Sequence, residues 1–250
     1  MFLNQLSILN GVNVSISKGE TVGIIGPNGS GKTTFFNCLS GFNIPQKGSI
    51  FLNEQDITRL PPYKRSALGI GRVFQNSGVF REMTVLENVI TALEGRQSSL
   101  STFFPWSKIN GENARNSLNY LDEIGLAAKA QAKASSLSGG QMRLLEIIRT
   151  LAFGADMFLL DEPTAGVSPK MKDDVASAIS RLQDLGKTVL IIEHDINFIQ
   201  KFCDRIVVLD VGRVVMDDTP AKVREDPMLQ EIYFGGNQGN GKQQTAASRL

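Results

Sequence analysis

Three observations predict an α/β fold with a mostly parallel sheet covered on both faces. Short apolar runs rich in β-branched residues recur at Thr21–Ile25, 157–160, Thr188–Ile192 and 206–209, as expected of strands buried on both sides. Segments with helical spacing separate them, which is the signature of parallel strands joined by crossover helices. Glycine, 24 in all, sits mostly at the edges of the apolar runs and marks turns.

The first strand, Thr21–Ile25 (TVGII), runs directly into a glycine-rich turn and a helical segment at 33–39. Residues 48–52 (GSIFL) read as another strand. From about residue 87 to 150 the chain turns helical, and Ala114, Leu118, Leu121 and Ile124 fall on one helix face. After the strand at 157–160, Val175, Ile179, Leu182 and Leu185 mark a further helix face. Ser168 caps that helix, Pro169 occupies its first turn, and Gly186 stops it. The last two strands follow. Residues 235–250 are Gly, Gln, Asn and Ser with few apolar side chains, a composition that predicts a disordered tail.

Composition excludes several classes. The chain of 250 residues is long enough for one good-sized core. Hydrophobic residues at 42% and charged residues at 20% argue against wholesale disorder. Lys plus Arg is 26 and Asp plus Glu is 25, so there is no overall basic footprint for nucleic acid. Cys38 and Cys203 have no metal-ligand spacing and form no disulfide framework, which points to a reducing compartment. No apolar run approaches the roughly 20 residues that span a bilayer. The start, MFLNQLSILNG, has neither a basic n-region nor a cleavage site. A soluble chain is expected, one that another polypeptide must hold if it works at a membrane.

The turn after the first strand reads Gly26-Pro27-Asn28-Gly29-Ser30-Gly31-Lys32-Thr33 and satisfies G-x-x-x-x-G-K-[ST] between a strand and a helix. Such a loop points backbone amides into a concave nest, and the helix N-terminus adds partial positive charge. Lys32 supplies a point charge for β- and γ-phosphates, and the Thr33 hydroxyl suits Mg²⁺. A nucleoside-triphosphate site is expected. Asp161 and Glu162 directly follow the strand at 157–160. Ligands sit at carboxyl ends of parallel strands, so Asp161 is assigned to the metal and Glu162 to orienting or deprotonating the attacking water. On its own such a pair reads as a solvated strand end; the phosphate loop changes that balance. His194, the only histidine, ends the strand Thr188–Ile192 between Glu193 and Asp195. A lone histidine is more often structural, but at this position it can stabilise charge developing on a γ-phosphate.

Leu137-Ser138-Gly139-Gly140-Gln141 lies between these motifs in the chain. With the phosphate loop, Gln75 in Val73-Phe-Gln-Asn, Glu162 and His194, it resembles the nucleotide-binding subunits of ATP-binding cassette (ABC) transporters, whose signature is LSGGQ. The resemblance spans residues 26–194 and continues through 204–213 to about 235. It implies a P-loop NTPase core with a small antiparallel β region near the N-terminus and an inserted α-helical subdomain. The implied domain covers residues 1–236, with 1–75 and 151–236 as core, about 76–150 as helical subdomain, and 237–250 as tail. ATP and Mg²⁺ are the implied cofactors. Gln75, Glu162 and His194 are the implied catalytic residues, residues 26–34 including Thr34 hold the nucleotide, and Thr33, Gln75 and Asp161 hold the metal. A head-to-tail dimer is implied, in which Ser138, Gly139, Gly140 and Gln141 of one copy close over the ATP of the other. A serine and two glycines opening a helix suit that task, since they offer amides and a helix dipole to an anion.

The resemblance also implies partners: two transmembrane permease subunits, a second ATPase subunit, and indirectly a substrate-binding protein, with no nucleic acid. The chain would sit peripherally on the cytoplasmic face of the cell membrane. The finer match is to ATPases of branched-chain and other hydrophobic amino-acid importers, carried by residues 36–42, 80–88, Ala165-Gly166 and 219–235. Urea importers and lipopolysaccharide exporters have relatives of the same pattern. Phe80 and Met83 fit either a contact with a short helix of the membrane subunit or internal packing. Residues 103–106 (FFPW) read as a loop folding back on the core or as a docking feature. Two departures stand out. Ser168 occupies the position of the family's D-loop aspartate, and only Phe2, or Leu3 by spacing, is available to stack on adenine. Two competing classes are an ABC-type ATPase acting on DNA or ribosomes and a nucleotide-gated subunit that barely hydrolyses. The single set of motifs and the absence of long heptads count against the first, and an intact Glu162 and His194 against the second.

Overall fold

The computed structural model describes residues 8–74, 78–97, 111–227 and 229. The predictions for Phe2, Leu3, Gln75, residues 103–106 and the tail at 237–250 lie outside those residues. In chain order the elements are β1 (Thr21–Ile25), α1 (Lys32–Ser40), β2 (Phe51–Leu52), β3 (Gln55–Asp56), α2 (Pro62–Ala67), β4 (Ile70–Val73), α3 (Val85–Gln97) and α4 (Gly111–Glu123). Then follow α5 (Gly139–Ala152), β5 (Met157–Asp161), α6 (Pro169–Asp184), β6 (Thr188–Ile192), α7 (Ile196–Phe202), β7 (Arg205–Asp210), β8 (Arg213–Asp218) and α8 (Pro220–Glu225).

One sheet of six strands runs in the order β4-β5-β6-β1-β7-β8, and β2 pairs with β3 in a small antiparallel ribbon. All neighbours in the large sheet are parallel except β7 and β8. Alternate residues of each buried strand feed two cores. Val22, Ile24, Leu159, Leu190, Ile192, Val207 and Leu209 face one layer, with Phe36 of α1. Ile25, Phe158, Leu160, Val189, Ile191, Ile206 and Val208 face the other, with α3, α5 and α6 behind them. These strands read as continuous apolar runs because both faces are covered, as the sequence pattern predicts.

Two strands escape that pattern for physical reasons. β4 is short and carries Gly71 and Arg72, whose side chain is buried in an ion pair with Asp161 in the site. β8 alternates exposed and half-buried residues, as an edge strand with charged positions does. It leaves β7 through a two-residue turn, Val211 (φ +43°) and Gly212 (φ +72°), whose paired positive φ values match the twist of a tight hairpin.

Two predicted helix faces need correction. On α4 the buried residues are Asn113, Ser117 and Leu121, while Leu118 is exposed. The helix turns its small polar side chains inward, where α3 and α5 approach closely, so apolar spacing alone misplaces the face. On α6, Val175, Ile179 and Leu182 are buried, but Leu185 is the C-cap and is exposed. The predicted limits of α6 hold: Ser168 Oγ accepts from Met171 N, Pro169 opens the helix, and Gly186 has φ +66° just beyond it.

Candidate functional site

Three loops that carry predicted site residues leave the sheet at one edge. The register pairs Ile24 of β1 with Ile192 of β6, and Ile192 with Asp161 of β5. The strands are parallel, so the phosphate loop after β1, Glu162 after β5 and Glu193-His194 after β6 all emerge from their carboxyl ends, where open α/β sheets bind ligands.

Residues 26–31 form the loop between β1 and α1. Gly26 (φ +154°) admits no side chain, since a Cβ there would lie 2.1 Å from Leu209 O and 2.6 Å from Ser30 Oγ. The β7–β8 turn supports the loop from behind, with Gly212 N donating to Ser30 O at 3.0 Å. Lys32 is buried and its Nζ donates to the carbonyls of Gly26 (2.7 Å) and Pro27 (3.0 Å), which curls the side chain over the loop. Burial pushes its pKa down, against the opposing charges of Glu162 and Asp161. The ammonium is thus only partly solvated and lies within the field of both carboxylates. Ser30 Oγ is buried and has no hydrogen-bond partner among the described residues, an orphaned donor that fits an incoming phosphate oxygen. Pro27, Asn28 and Gly29 form the partly exposed crest of the loop, Gly31 is the left-handed N-cap of α1, and Thr33 and Thr34 lie in its first turn.

Asp161 is buried at the end of β5, and its Oδ2 accepts from Arg72 Nη2 at 2.9 Å. Arg72 also donates to Asn37 Oδ1 (2.6 Å) and Ser40 Oγ (2.9 Å) of α1, so it ties the helix after the phosphate loop to the strand that carries the acid. Glu162 has φ +47°, a left-handed conformation that costs a non-glycine residue about 1–3 kcal/mol. Its N–H donates to Ile192 O at 2.9 Å. Its Oε1 lies 3.0 Å from Nε2 of His194, a pair in which the ring nitrogen donates, since an ionised carboxylate can only accept. Position after strands was the signal for both residues, and the structure brings them together.

Ser138 and Gln141 cap α5 reciprocally: Ser138 Oγ accepts from Gln141 N at 3.3 Å, and Gln141 Oε1 accepts from Ser138 N at 3.2 Å. Lys129 Nζ donates to the same Oε1 at 3.0 Å. The side chains of Ser138 and Gln141 therefore form a capping box within this chain. Gly139 is exposed, and Gly140 is buried where a Cβ would meet Met171 of α6 at 2.7 Å.

Sequence reasoning missed Arg72, Glu193 and the buried cluster of α5. Glu146 Oε1 accepts from the N–H groups of Phe74 and Gly78 at 3.1 Å each, the residues flanking 75–77. Burial pushes the Glu146 carboxyl up, against the pull of Arg143, which pairs with it at 3.2 Å, and of those two N–H groups. Arg149 Nη1 donates to Gly78 O at 2.6 Å, and its guanidinium lies 4.5 Å from the Phe80 ring centre. That ring is exposed while Met83 is half-buried. An arginine inside a strand and charged residues on an apolar helix face were the available signals.

Comparison with known proteins agrees with this architecture. The sequence profile of the ABC transporter family matches residues 9–165. The chain is 37% identical over 244 residues to the high-affinity branched-chain amino acid transport ATP-binding protein BraF of Pseudomonas aeruginosa, covering 94% of each chain. It is 36% identical over 241 residues to LivG of Escherichia coli, named for the same transport, again covering 94% of each. The lipopolysaccharide export system ATP-binding protein LptB of Acidithiobacillus ferridurans is 36% identical over 228 residues, covering 91% of this chain and 90% of LptB. Among solved structures, an ABC transporter cassette in its ADP conformation superposes with a TM-score of 0.81 at 33% identity, covering 94% of this chain and 95% of that one. A bacterial ABC transporter cassette solved as a dimer gives 0.72 at 30% identity, over 85% and 90%. The chain belongs to the ABC transporter family and is one of its ATP-hydrolysing cassettes.

Proposed function

We propose that the chain energises a membrane importer for branched-chain or other hydrophobic amino acids by hydrolysing ATP. The observation that carries the catalytic half is the Glu162–His194 pair, 3.0 Å apart at the edge where the phosphate loop also emerges. The cargo half rests on the similarity to the branched-chain amino acid transport proteins BraF and LivG, which match nearly the whole chain. A lipopolysaccharide exporter is the second reading, favoured by the near-equal identity to LptB.

In this reading the amides of residues 26–34 and the Lys32 ammonium bind the β- and γ-phosphates. The nest and the helix N-terminus place positive charge there before the reaction begins. Thr33 and Asp161, with Gln75, would hold Mg²⁺. The fit is chemical: a hydroxyl and a carboxylate are hard oxygen donors, and Mg²⁺ is usually held by one or two carboxylates together with substrate phosphates. Bound there, it would neutralise charge on the β- and γ-oxygens. Glu162 orients the attacking water and takes its proton. The His194 Nε2–H that meets Glu162 here turns to the γ-phosphate as charge develops there.

Residues 1–236 act as one ATPase domain, with 1–75 and 151–236 as core and 76–150 as an arm that carries the signature. Two cassettes close head to tail, Ser138, Gly139, Gly140 and Gln141 of one covering the ATP of the other. Exposed Ser138 and Gly139 at the N-terminus of α5 support this. Hydrolysis reopens the dimer and moves two permease subunits, which receive cargo from a binding protein. The chain works peripherally at the cytoplasmic face of the membrane, held by those subunits through the surface around Phe80 and Met83. No helix among the described residues is long and apolar enough to cross a membrane.

Glu162→Gln tests the reading. The variant is expected to bind ATP with near wild-type affinity, lose turnover by about 100-fold or more, and accumulate as an ATP-bound dimer on size-exclusion chromatography with light scattering. Wild-type turnover would remove Glu162 from the chemistry.

A further inference from the structure

Three successive residues at the end of β6 hold the stretch that follows β5. Ile192 O accepts the N–H of Glu162 at 2.9 Å. Glu193 Oε1 accepts both the N–H and the hydroxyl of Thr164, each at 2.7 Å. His194 Nε2 meets Glu162 Oε1 at 3.0 Å. The second oxygen of Glu193 turns back and accepts the N–H of His194 itself at 3.2 Å. Glu193 and Thr164 are each only 4% exposed, so water does not substitute for these bonds.

The middle tie differs from the other two. Glu162 sits in a left-handed conformation that its own backbone does not favour, and Ala165 N closes a turn on Glu162 O at 3.1 Å. Such a conformation persists only when its surroundings over-determine it. Ile192 fixes the amide before the strained residue, and Glu193 fixes the turn after it. The same carboxylate fixes the main chain of the histidine that faces it. One buried anion therefore spans both loops that bear the proposed hydrolytic pair, and its hydrogen bonds to them are charge-assisted.

We propose that Glu193 is a positioning residue for ATP hydrolysis: its carboxylate, bridging Thr164 and the His194 main chain, sets the register of Glu162 against His194. The proposal rests on the reading of Glu162 and His194 as the hydrolytic pair. Without the carboxylate, two buried donors of Thr164 lose their acceptor, the turn relaxes, and Glu162 moves away from the water it orients. Nucleotide binding, which belongs to residues 26–34, stays as it is.

The test uses the full-length chain, with kcat, ATP affinity and the unfolding midpoint measured for Glu193→Ala, Thr164→Val and Thr164→Ser. Glu193→Ala is expected to lower kcat by about 10- to 100-fold, the cost of slightly misplacing a catalytic group, with ATP Kd unchanged within about threefold. Thr164→Val removes only the hydroxyl donor and should lower kcat by about three- to tenfold, and Thr164→Ser should restore it. Added to Glu162→Gln, Glu193→Ala should bring no further loss, because it acts only through Glu162. An unchanged kcat, a parallel fall in kcat and ATP affinity, or an additive loss in the double variant would overturn the proposal. If Glu193→Ala does not fold, the Thr164→Val and Thr164→Ser pair decides alone. Stalled Glu162→Gln beside an active Glu193→Ala sinks this proposal only; an active Glu162→Gln sinks the reading beneath it.

Discussion

Lys32 shows how much one side chain carries. Its ammonium is drawn into the loop by two carbonyls, partly desolvated, and compensated by Asp161 and Glu162 across the site. A charge held this way needs little reorganisation when phosphate oxygens arrive. Lys32→Ala should weaken ATP binding by at least about tenfold, the worth of one charge-assisted hydrogen bond to phosphate, as read by calorimetric titration. Affinity within about twofold of wild type would contradict the assignment. The motif makes Lys32 and the glycines evident from sequence, because the pattern itself encodes the mechanism. Arg72 and Glu193 were not evident. Each matters through a partner far along the chain, Asp161 in one case and Thr164 in the other, and spacing does not reveal which buried charges meet.

Helix ends show what local sequence specifies well. Ser138 and Gln141 form a capping box, and Thr84 and Glu87 form another before α3. Thr84 Oγ1 accepts from Glu87 N at 3.1 Å while Glu87 Oε2 accepts from Thr84 N at 2.7 Å. Those donors, the Thr84 N–H first and its hydroxyl second, hold the Glu87 carboxyl below the usual carboxylate range. A carboxylate lowered in the folded state stabilises above its unfolded pKa, and the stabilisation is lost as pH falls through the folded value. Thr84→Ala should therefore cost about 1 kcal/mol near neutral pH. The deficit should shrink below the ordinary carboxylate range in chemical unfolding followed by circular dichroism; an equal deficit at both pH values would contradict the coupling. Ser168 belongs at this scale too. It stands where the family's aspartate is expected, and here it caps α6. Helix faces were read less well than helix ends, since Asn113 and Ser117 are buried on α4 for closeness of approach and not for hydrophobicity.

Across the molecule, the parallel sheet does the gathering. Four apolar runs found in the sequence became β1, β5, β6 and β7, and their registry sets the phosphate loop, Glu162 and His194 at one edge. That part of the architecture was readable because strands buried on both faces leave uninterrupted apolar segments. The order β4-β5-β6-β1-β7-β8 was not, since strand order depends on contacts between distant segments. No helix among the described residues is long and apolar enough to cross a membrane, and in the proposed account the cargo passes through permease subunits. The most direct measurement is therefore to purify the tagged chain from its native membrane in mild detergent and identify the proteins that accompany it. Two polytopic membrane proteins with a second ATPase subunit are the predicted result, and a captured binding protein would name the cargo class. Recovery solely from the soluble fraction, together with nucleic acid or ribosomes, would contradict the transporter account while leaving the ATPase in place.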